Sequence, residues 1–158
     1  MEKKILVGMS GGIDSTWAAK KLMEDGYTVE GAVLDMHSHS PVEQAKRSAE
    51  ALGIKIHVVD CRKEFAESVE DNFVQEYARA RTPNPCVVCN SDIKFKLLAQ
   101  EARRLGIGKI STGHYVRVEY NSESGRWEMM SAEDKSKDQS YFLWRVSQDD
   151  LSMFHSVL

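Results

Sequence analysis

The chain has 158 residues, 42% apolar and 28% charged, with 21 Lys and Arg against 24 Asp and Glu for a net charge of −3. This is one domain's length, able to hide roughly 70% of the surface its unfolded chain exposes, so its core needs no disulfide staples. The near-neutral balance excludes a molecule that is basic throughout, such as a non-specific nucleic-acid clamp or a polybasic membrane binder, and leaves room only for a local patch.

In chain order, Lys4–Met9 is a short apolar run stopped by Ser10-Gly11-Gly12 and reads as a buried strand. Lys3 and Lys4 before it imitate a signal-peptide start, but the run falls far short of the ~20 apolar residues of a membrane span, so no membrane partner is expected. Ser15–Asp25 carries Trp17, Ala18, Lys21 and Leu22 at helical spacing and ends at Gly26, a C-cap residue. Thr28–Leu34 is a second strand. Val42–Leu52, with Ala45, Ala49 and Leu52 on one face and Gly53 after it, is a second helix. Ile54–Val59 is a third strand. Arg62–Ala80 repeats Phe65, Val69, Phe73 and Tyr77 every four residues, which predicts a long amphipathic helix. A proline-containing loop, Arg81–Asn90, leads to a helix over Ser91–Leu105, capped by Ser91 and stopped by Gly106, and then to a fourth strand, Lys109–Thr112.

Beyond that point the pattern changes. Tyr115–Tyr120 and Arg126–Met130 alternate around a polar turn and predict a hairpin. Asp138–Val146 and Asp149–Phe154 read as short helices, with Trp127 and Trp144 as packing residues. The fold class is therefore α/β: a doubly wound, mostly parallel sheet, with a small β-hairpin and a C-terminal helical segment. The expected division is one domain over 1–158, with a core over 1–114 and an extension over 115–158. The apolar segment running up to Leu158 suggests a piece of something longer. Three cysteines, Cys61, Cys86 and Cys89, are too few and odd in number for a secreted disulfide scaffold and suit a reducing cytoplasm.

Gly8, Met9, Ser10, Gly11, Gly12, Ile13, Asp14 and Ser15 lie between the first strand and the first helix. There, a doubly wound sheet presents backbone N–H groups and a helix N-terminus to an anion. Gly11 and Gly12 let the backbone come close and take φ > 0, and Ser10 and Ser15 add hydroxyls. Asp14 repels phosphate, so it holds Mg²⁺ or caps the helix. The stretch contains no G-K-[ST], which excludes a Walker A loop, and its glycines do not fit G-x-G-x-x-G.

The string SGGIDS resembles the SGGxDS loop of the PP-loop ATP pyrophosphatases, in which the loop holds the β- and γ-phosphates while ATP is cleaved between α and β. That resemblance implies ATP as the nucleotide and an adenine nucleotide alpha hydrolase-like, Rossmann-like fold.

Arg81–Asn90 is the second informative stretch. Pro83 and Pro85 stiffen an extended segment that delivers Cys89 to the head of the following helix. With that helix's positive end and Lys94 and Lys96 nearby, the expectation is a favoured thiolate and a good nucleophile. Cys86 and Cys89 form C-x-x-C, a redox pair or half a metal site. With Cys61 on the same rim of the sheet, Cys61, Cys86 and Cys89 are candidate ligands of an iron–sulfur cluster with one open iron.

The segment R-T-P-N-P-x-x-x-C-N-x-x-I-K-F, together with Thr112-Gly113-His114-Tyr115 and Lys137-Asp138-Gln139-Ser140-Tyr141-Phe142-Leu143, resembles the tRNA-specific 2-thiouridylases, which thiolate the wobble uridine of certain tRNAs. Four motifs fall in that family's order and cover nearly the whole chain. The resemblance implies that Gly8–Ser15 binds ATP, with Leu34 and Gly113 lining the adenosine pocket. It makes Cys89 the nucleophilic cysteine, turns Asn84, Pro85 and Cys86 toward the target base, and sets Lys137, Asp138 and Gln139 against tRNA. It also implies a sulfur-donor protein, either a persulfide carrier or a cysteine desulfurase relay. The family pattern has Asp at the position of Cys86, and its second catalytic cysteine lies beyond the stretch matched here.

Between Arg79 and Arg117 basic residues outnumber acids eight to two, a stripe suited to a phosphate backbone or to a solvated helix face. His114 reads either as a phosphate-polarising or as a structural histidine. Asp35, His37 and His39 read as polar loop residues. Two other readings remain open from residues alone: a PP-loop ligase or amidotransferase acting on a small molecule, and a non-catalytic ATP- and tRNA-binding fragment that needs a partner chain.

Overall fold

A computed structural model describes residues 3–158. Four strands, β1 (Lys4–Gly8), β2 (Thr28–Asp35), β3 (Ile56–Asp60) and β4 (Ile110–Thr112), form one sheet in the order β3-β2-β1-β4. Every pairing is parallel, with Lys4 opposite Thr28, Gly31 opposite Ile56 and Leu6 opposite Ile110. The helices are α1 (Ile13–Glu24), α2 (Val42–Leu52), α3 (residues 62–78), α4 (residues 85–104) and the short α5 (Gln148–Met153). An antiparallel hairpin pairs β5 (Val116–Asn121) with β6 (Arg126–Ser131).

Strand periodicity sorts the core into two layers. Ile5 and Val7 of β1, and Met9 just after it, point to one face, where they pack with Ala19 and Leu22 of α1 and Ala45 and Ala49 of α2. Leu6 points to the other, into a cluster built from Phe95, Leu98 and Ala102 of α4, Val116 and Val118 of the hairpin, and Leu143 and Phe154 of the tail. The sheet is thus covered on both faces, as a doubly wound parallel sheet must be. A third cluster, Cys61, Val69, Val88 and Ile93, closes the gap between α3 and α4.

Several boundaries differ from the sequence-based expectation. Helix α4 starts at Pro85, six residues before Ser91. Asn84 caps it by accepting the Val87 N–H at 3.4 Å, with proline in the first turn. Ser91 is not a cap; its hydroxyl donates back to the Val87 and Val88 carbonyls. Within α4 the stretch Cys89–Phe95 is a π-helix, and α3 contains another over Ala66–Glu70. Of the helix expected over Asp138–Val146, only a 3₁₀ turn at Ser140–Phe142 forms. Leu143 takes the buried position there and Trp144 is 71% exposed, so it is not the packing residue expected. Trp127 does pack against the core. After α5 the chain leaves the helix and runs beside β4, with Phe154 bridging Ile110 in parallel and the His155 N–H donating to the Ile110 carbonyl at 2.8 Å.

Phe95 is fully buried between the His114 ring, 5.6 Å away, and the Phe154 ring, 5.1 Å away. It ties α4 to the end of β4 and to the tail. Phe95→Ala is expected to lower unfolding free energy by about 3–5 kcal/mol, measured by urea denaturation.

Candidate functional site

The strand order places β2 on one side of β1 and β4 on the other, so the chain reverses direction of growth at β1. At such a switch point the loops leave in opposite directions and open a crevice beyond the carboxyl ends of the strands. The crevice here is a cavity of about 240 Å³, walled by Gly8–Ser10 after β1, Ala32–Leu34 at the end of β2, Thr112–His114 after β4, and Lys94 and Leu98 from α4. Ligand pockets run from roughly 300 Å³ upward, so this one encloses part of a ligand and leaves the rest on the rim.

The rim is the β1–α1 loop, in which Gly12, expected at positive φ, is instead extended at φ −78° as the residue that leads into α1. Gly11 has φ +76°, and a Cβ there would lie 2.9 Å from the Ala45 backbone nitrogen, so both its dihedral and its packing against α2 call for glycine. The Gln44 amide donates to the Gly11 carbonyl at 3.0 Å and pins the bend. Inside the loop the Ser15 hydroxyl accepts the Ser10 N–H at 3.2 Å, and the Thr16 hydroxyl donates to the Gly12 carbonyl at 2.8 Å. Gly113 sits against the start of α1. A Cβ on it would fall 2.6 Å from the Ser15 nitrogen and 2.9 Å from the Asp14 carbonyl carbon, a fixed backbone that cannot yield.

Most of the expected nucleotide residues converge. Gly8, Met9, Ser10, Asp14, Ser15, Leu34 and Gly113 all line the cavity. Gly11 and Gly12 shape the loop beside it, and Ile13 is 86% exposed and points elsewhere. Asp14 is exposed at the mouth, where it accepts the Tyr115 hydroxyl at 3.0 Å. Lys137 lies over the Tyr115 ring, 5.0 Å from its centre, and donates to the same hydroxyl at 3.4 Å. Gln139 brackets the Tyr115 backbone, its side-chain oxygen accepting the Tyr115 N–H and its own N–H donating to the Tyr115 carbonyl. The Asp138 carboxylate is held internally by the Ala132 N–H and the Ser140 hydroxyl. The K-D-Q segment is therefore a strap fastened beside the phosphate-type loop.

His114 and Lys94 enter the wall with roles the sequence alone left undecided. The His114 Nε2–H donates to Asn90 Oδ1 at 3.0 Å, which leaves Nδ1 to accept the Thr112 hydroxyl at 2.8 Å. Burial, reinforced by the positive charge of Lys94, lowers its pKa from 6.5 to about 4. His114 is a neutral, doubly bonded strut between α4 and β4.

The cysteines depart further from expectation. Because α4 begins at Pro85, Cys89 sits one turn inside the helix and not at its positive end. Burial raises its pKa, an effect that Lys94 partly offsets, so the thiol and not the thiolate is favoured. Its Sγ lies 3.9 Å from the sulfur of Met36, which lines the cavity, so Cys89 stands one side chain behind the cavity wall. Cys61 is buried, donates to the Asp35 carbonyl at 3.5 Å, and has its pKa pushed up to about 12 by burial and by neighbouring carboxylates. Cys86 is exposed on the first turn of α4, beside Asn84 and Pro85. Among the described residues no three His, Cys, Asp or Glu side chains gather as a metal-holding group. The three cysteines thus do not fit an iron–sulfur cluster in this arrangement.

The expected basic stripe is dispersed. Arg79 and Arg81 pair with Glu76, Arg104 with Glu101 and Arg103 with Asp150. No helix among the described residues is long and apolar enough to cross a membrane.

A parallel sheet with its switch point at β1, and a glycine-bearing loop meeting a helix N-terminus there, define an α/β nucleotide-binding domain of the HUP type. The chain belongs to the family described as the tRNA methyl transferase HUP domain, which it matches over residues 3–156. It is 44% identical over 160 residues to the tRNA-specific 2-thiouridylase MnmA of Treponema denticola, a match covering 94% of this chain and 44% of that protein. It is 46% identical over 149 residues to the protein of the same name from Syntrophomonas wolfei, with the same coverage of 94% and 44%. The chain therefore spans less than half the length of these relatives. Among solved structures it is similar to one described as a predicted subunit of tRNA methyltransferase from Methanocaldococcus jannaschii, with TM-score 0.54, 20% identity, and coverage of 70% of this chain and 52% of that one. The NMN synthetase of Francisella tularensis matches with TM-score 0.50 and 18% identity over 70% of this chain and 44% of that one. Both likenesses concern the fold.

The lowered pKa of His114 sets a pH dependence. The folded state keeps the ring neutral, whereas the unfolded chain takes up a proton near the ordinary pKa of 6.5. The contribution is complete above pH 6.5 and is lost as pH falls toward 4, amounting to roughly 3 kcal/mol at most. Urea unfolding across this window is expected to show a shallower loss for His114→Gln than for the wild type.

Proposed function

We propose that this chain is the ATP-binding part of a tRNA-specific 2-thiouridylase acting in the cytoplasm. The observation that carries the reading is the S-G-G-I-D-S loop closing a cavity at the β1/β4 switch point. The names of the relatives, tRNA-specific 2-thiouridylases, supply the substrate class. In this reading the nucleoside enters between Leu34 and Gly113, and the triphosphate lies over the loop and the head of α1. On the same reading, residues 3–114 form the nucleotide core and residues 115–158 an extension of it.

The 2-oxygen of the wobble uridine attacks the α-phosphorus of ATP, forming an O–P bond. The bond from that phosphorus to the β-bridging oxygen breaks, and pyrophosphate leaves. Loop N–H groups and the positive end of α1 stabilise the departing charge. Mg²⁺ fits Asp14, whose exposed carboxylate has one oxygen not engaged by Tyr115; when bound, it would neutralise phosphate charge. The terminal sulfur of a persulfide on Cys89, loaded by a sulfur-donor protein, then attacks C2 and AMP leaves. A second thiol, outside the part of the family matched here, takes the Cys89 sulfur into a disulfide and releases the 2-thiouridine. Exposed Asn84 and Cys86, with Pro85, would face the base, and Lys137, held by Asp138 and Gln139, would meet the tRNA backbone.

Pyrophosphate release and thiolation are measured on unmodified tRNA, in the chain extended to its relatives' length. Asp14→Ala is expected to lower pyrophosphate release by about 100-fold or more. Cys89→Ser is expected to retain release and to lose thiolation. Full thiolation by Cys89→Ser would remove that residue from the mechanism.

A further inference from the structure

The cavity wall carries two charged side chains, Asp14 and Lys94. Asp14 is engaged by Tyr115. Lys94 is half-buried, and among the described residues nothing pairs with it: its helix neighbour Asp92 goes to Arg145 and to the Ser91 hydroxyl. A half-buried ammonium without a counter-charge is a cost in the empty protein, and it is met when an anion enters.

Lys94 also lies five residues after Cys89. In an α-helix of 3.6 residues per turn, that spacing sets two side chains about 140° apart around the axis. Here Cys89–Phe95 is a π-helix, whose i→i+5 ladder brings residues five apart toward the same side. The wide turn therefore lets one helix present Lys94 in the cavity wall while Cys89 sits directly behind that wall against Met36.

We propose that Lys94 is a shared cation, which takes a phosphate of the nucleotide and, by being drawn to it, controls the reactivity of Cys89. The inference rests on the nucleotide reading of the cavity. With no anion bound, the ammonium favours the Cys89 thiolate against its burial. Cys86 on the same helix opposes it. Cys61 faces Cys89 from the end of β3, and Asp35 and Glu64 bear on Cys61. A bound triphosphate neutralises Lys94, and the thiol becomes less reactive. Departure of pyrophosphate returns part of that charge. Whether Cys89 is a thiol or carries the persulfide, the sulfur held there is thereby less nucleophilic while ATP is intact and regains reactivity once pyrophosphate has left.

The test is alkylation of Cys89 by iodoacetamide at neutral pH, followed by peptide-resolved mass spectrometry so that Cys86 is counted separately, with ATP affinity measured by calorimetry. In the wild type, ATP should slow Cys89 alkylation severalfold, and adenosine, which fills the nucleoside end without charge, should not. Lys94→Met should slow alkylation in the nucleotide-free protein, abolish the further effect of ATP, and weaken ATP binding about tenfold or more. Lys94→Arg, which keeps the charge, should preserve all three properties, and that rescue separates charge from any general damage to the fold. Equal nucleotide-free alkylation rates for wild type and Lys94→Met overturn the inference even where ATP binds. Equal slowing by adenosine and ATP overturns it as well, since shielding and not charge would then be acting. Absence of ATP binding to the wild type overturns the nucleotide reading itself.

Discussion

The site depends on one close approach. The end of β4 meets the first turn of α1 so tightly that position 113 has no room for a side chain, because Ser15 and Asp14 backbone atoms occupy the space. That contact aligns three things at once. It holds the β1–α1 loop open over the cavity, it turns His114 toward Asn90 of α4, and it brings Tyr115 to Asp14. The second constraint, Gly11 against α2, pins the far side of the same loop. A loop clamped between two neighbours, with its Ser10 N–H held by the Ser15 hydroxyl, keeps its shape before any ligand arrives.

Much of this was legible in the sequence. The alternation of strand and helix, the hairpin and the loop at the first strand's end follow from periodicity and from glycine placement, and seven of the ten residues assigned to nucleotide binding line the cavity. What escaped has physical reasons. The start of α4 was written in the sequence as Asn84-Pro85, a cap followed by proline in the first turn, but two prolines so close together read first as a rigid loop. Moving the helix start from Ser91 to Pro85 took Cys89 away from the helix's positive end and into a buried environment, which reversed the expected effect on its thiol. The π stretches carry no periodic signature that a 3.6-residue template can detect. Lys94 was visible as a charge near Cys89, yet its place in the cavity wall follows only from the widened turn.

The distribution of charge sharpens the same point. Counting basic residues over 79–117 suggests a stripe, but the fold answers four of its arginines with Glu76, Glu101 and Asp150. Surface pairs of this kind add little stability, but they remove cations from the field a polyanion would feel. What stays available near the cavity is the half-buried Lys94 and the exposed Lys137, one in the wall and one on the strap. The strap itself is fastened by Asp138 and Gln139, so two members of that motif serve to position the third.

The pairing of Phe154 and His155 with Ile110 bears on how the molecule keeps to itself. Strand β4 is three residues long and stands at the margin of the sheet, where unsatisfied main-chain groups would invite a neighbouring molecule to join. The tail covers that margin, and the Ser111 hydroxyl, donating to the His155 carbonyl at 2.7 Å, fastens it there. Cutting the polypeptide back to the hairpin would bare that margin and, with it, a ready template for self-association.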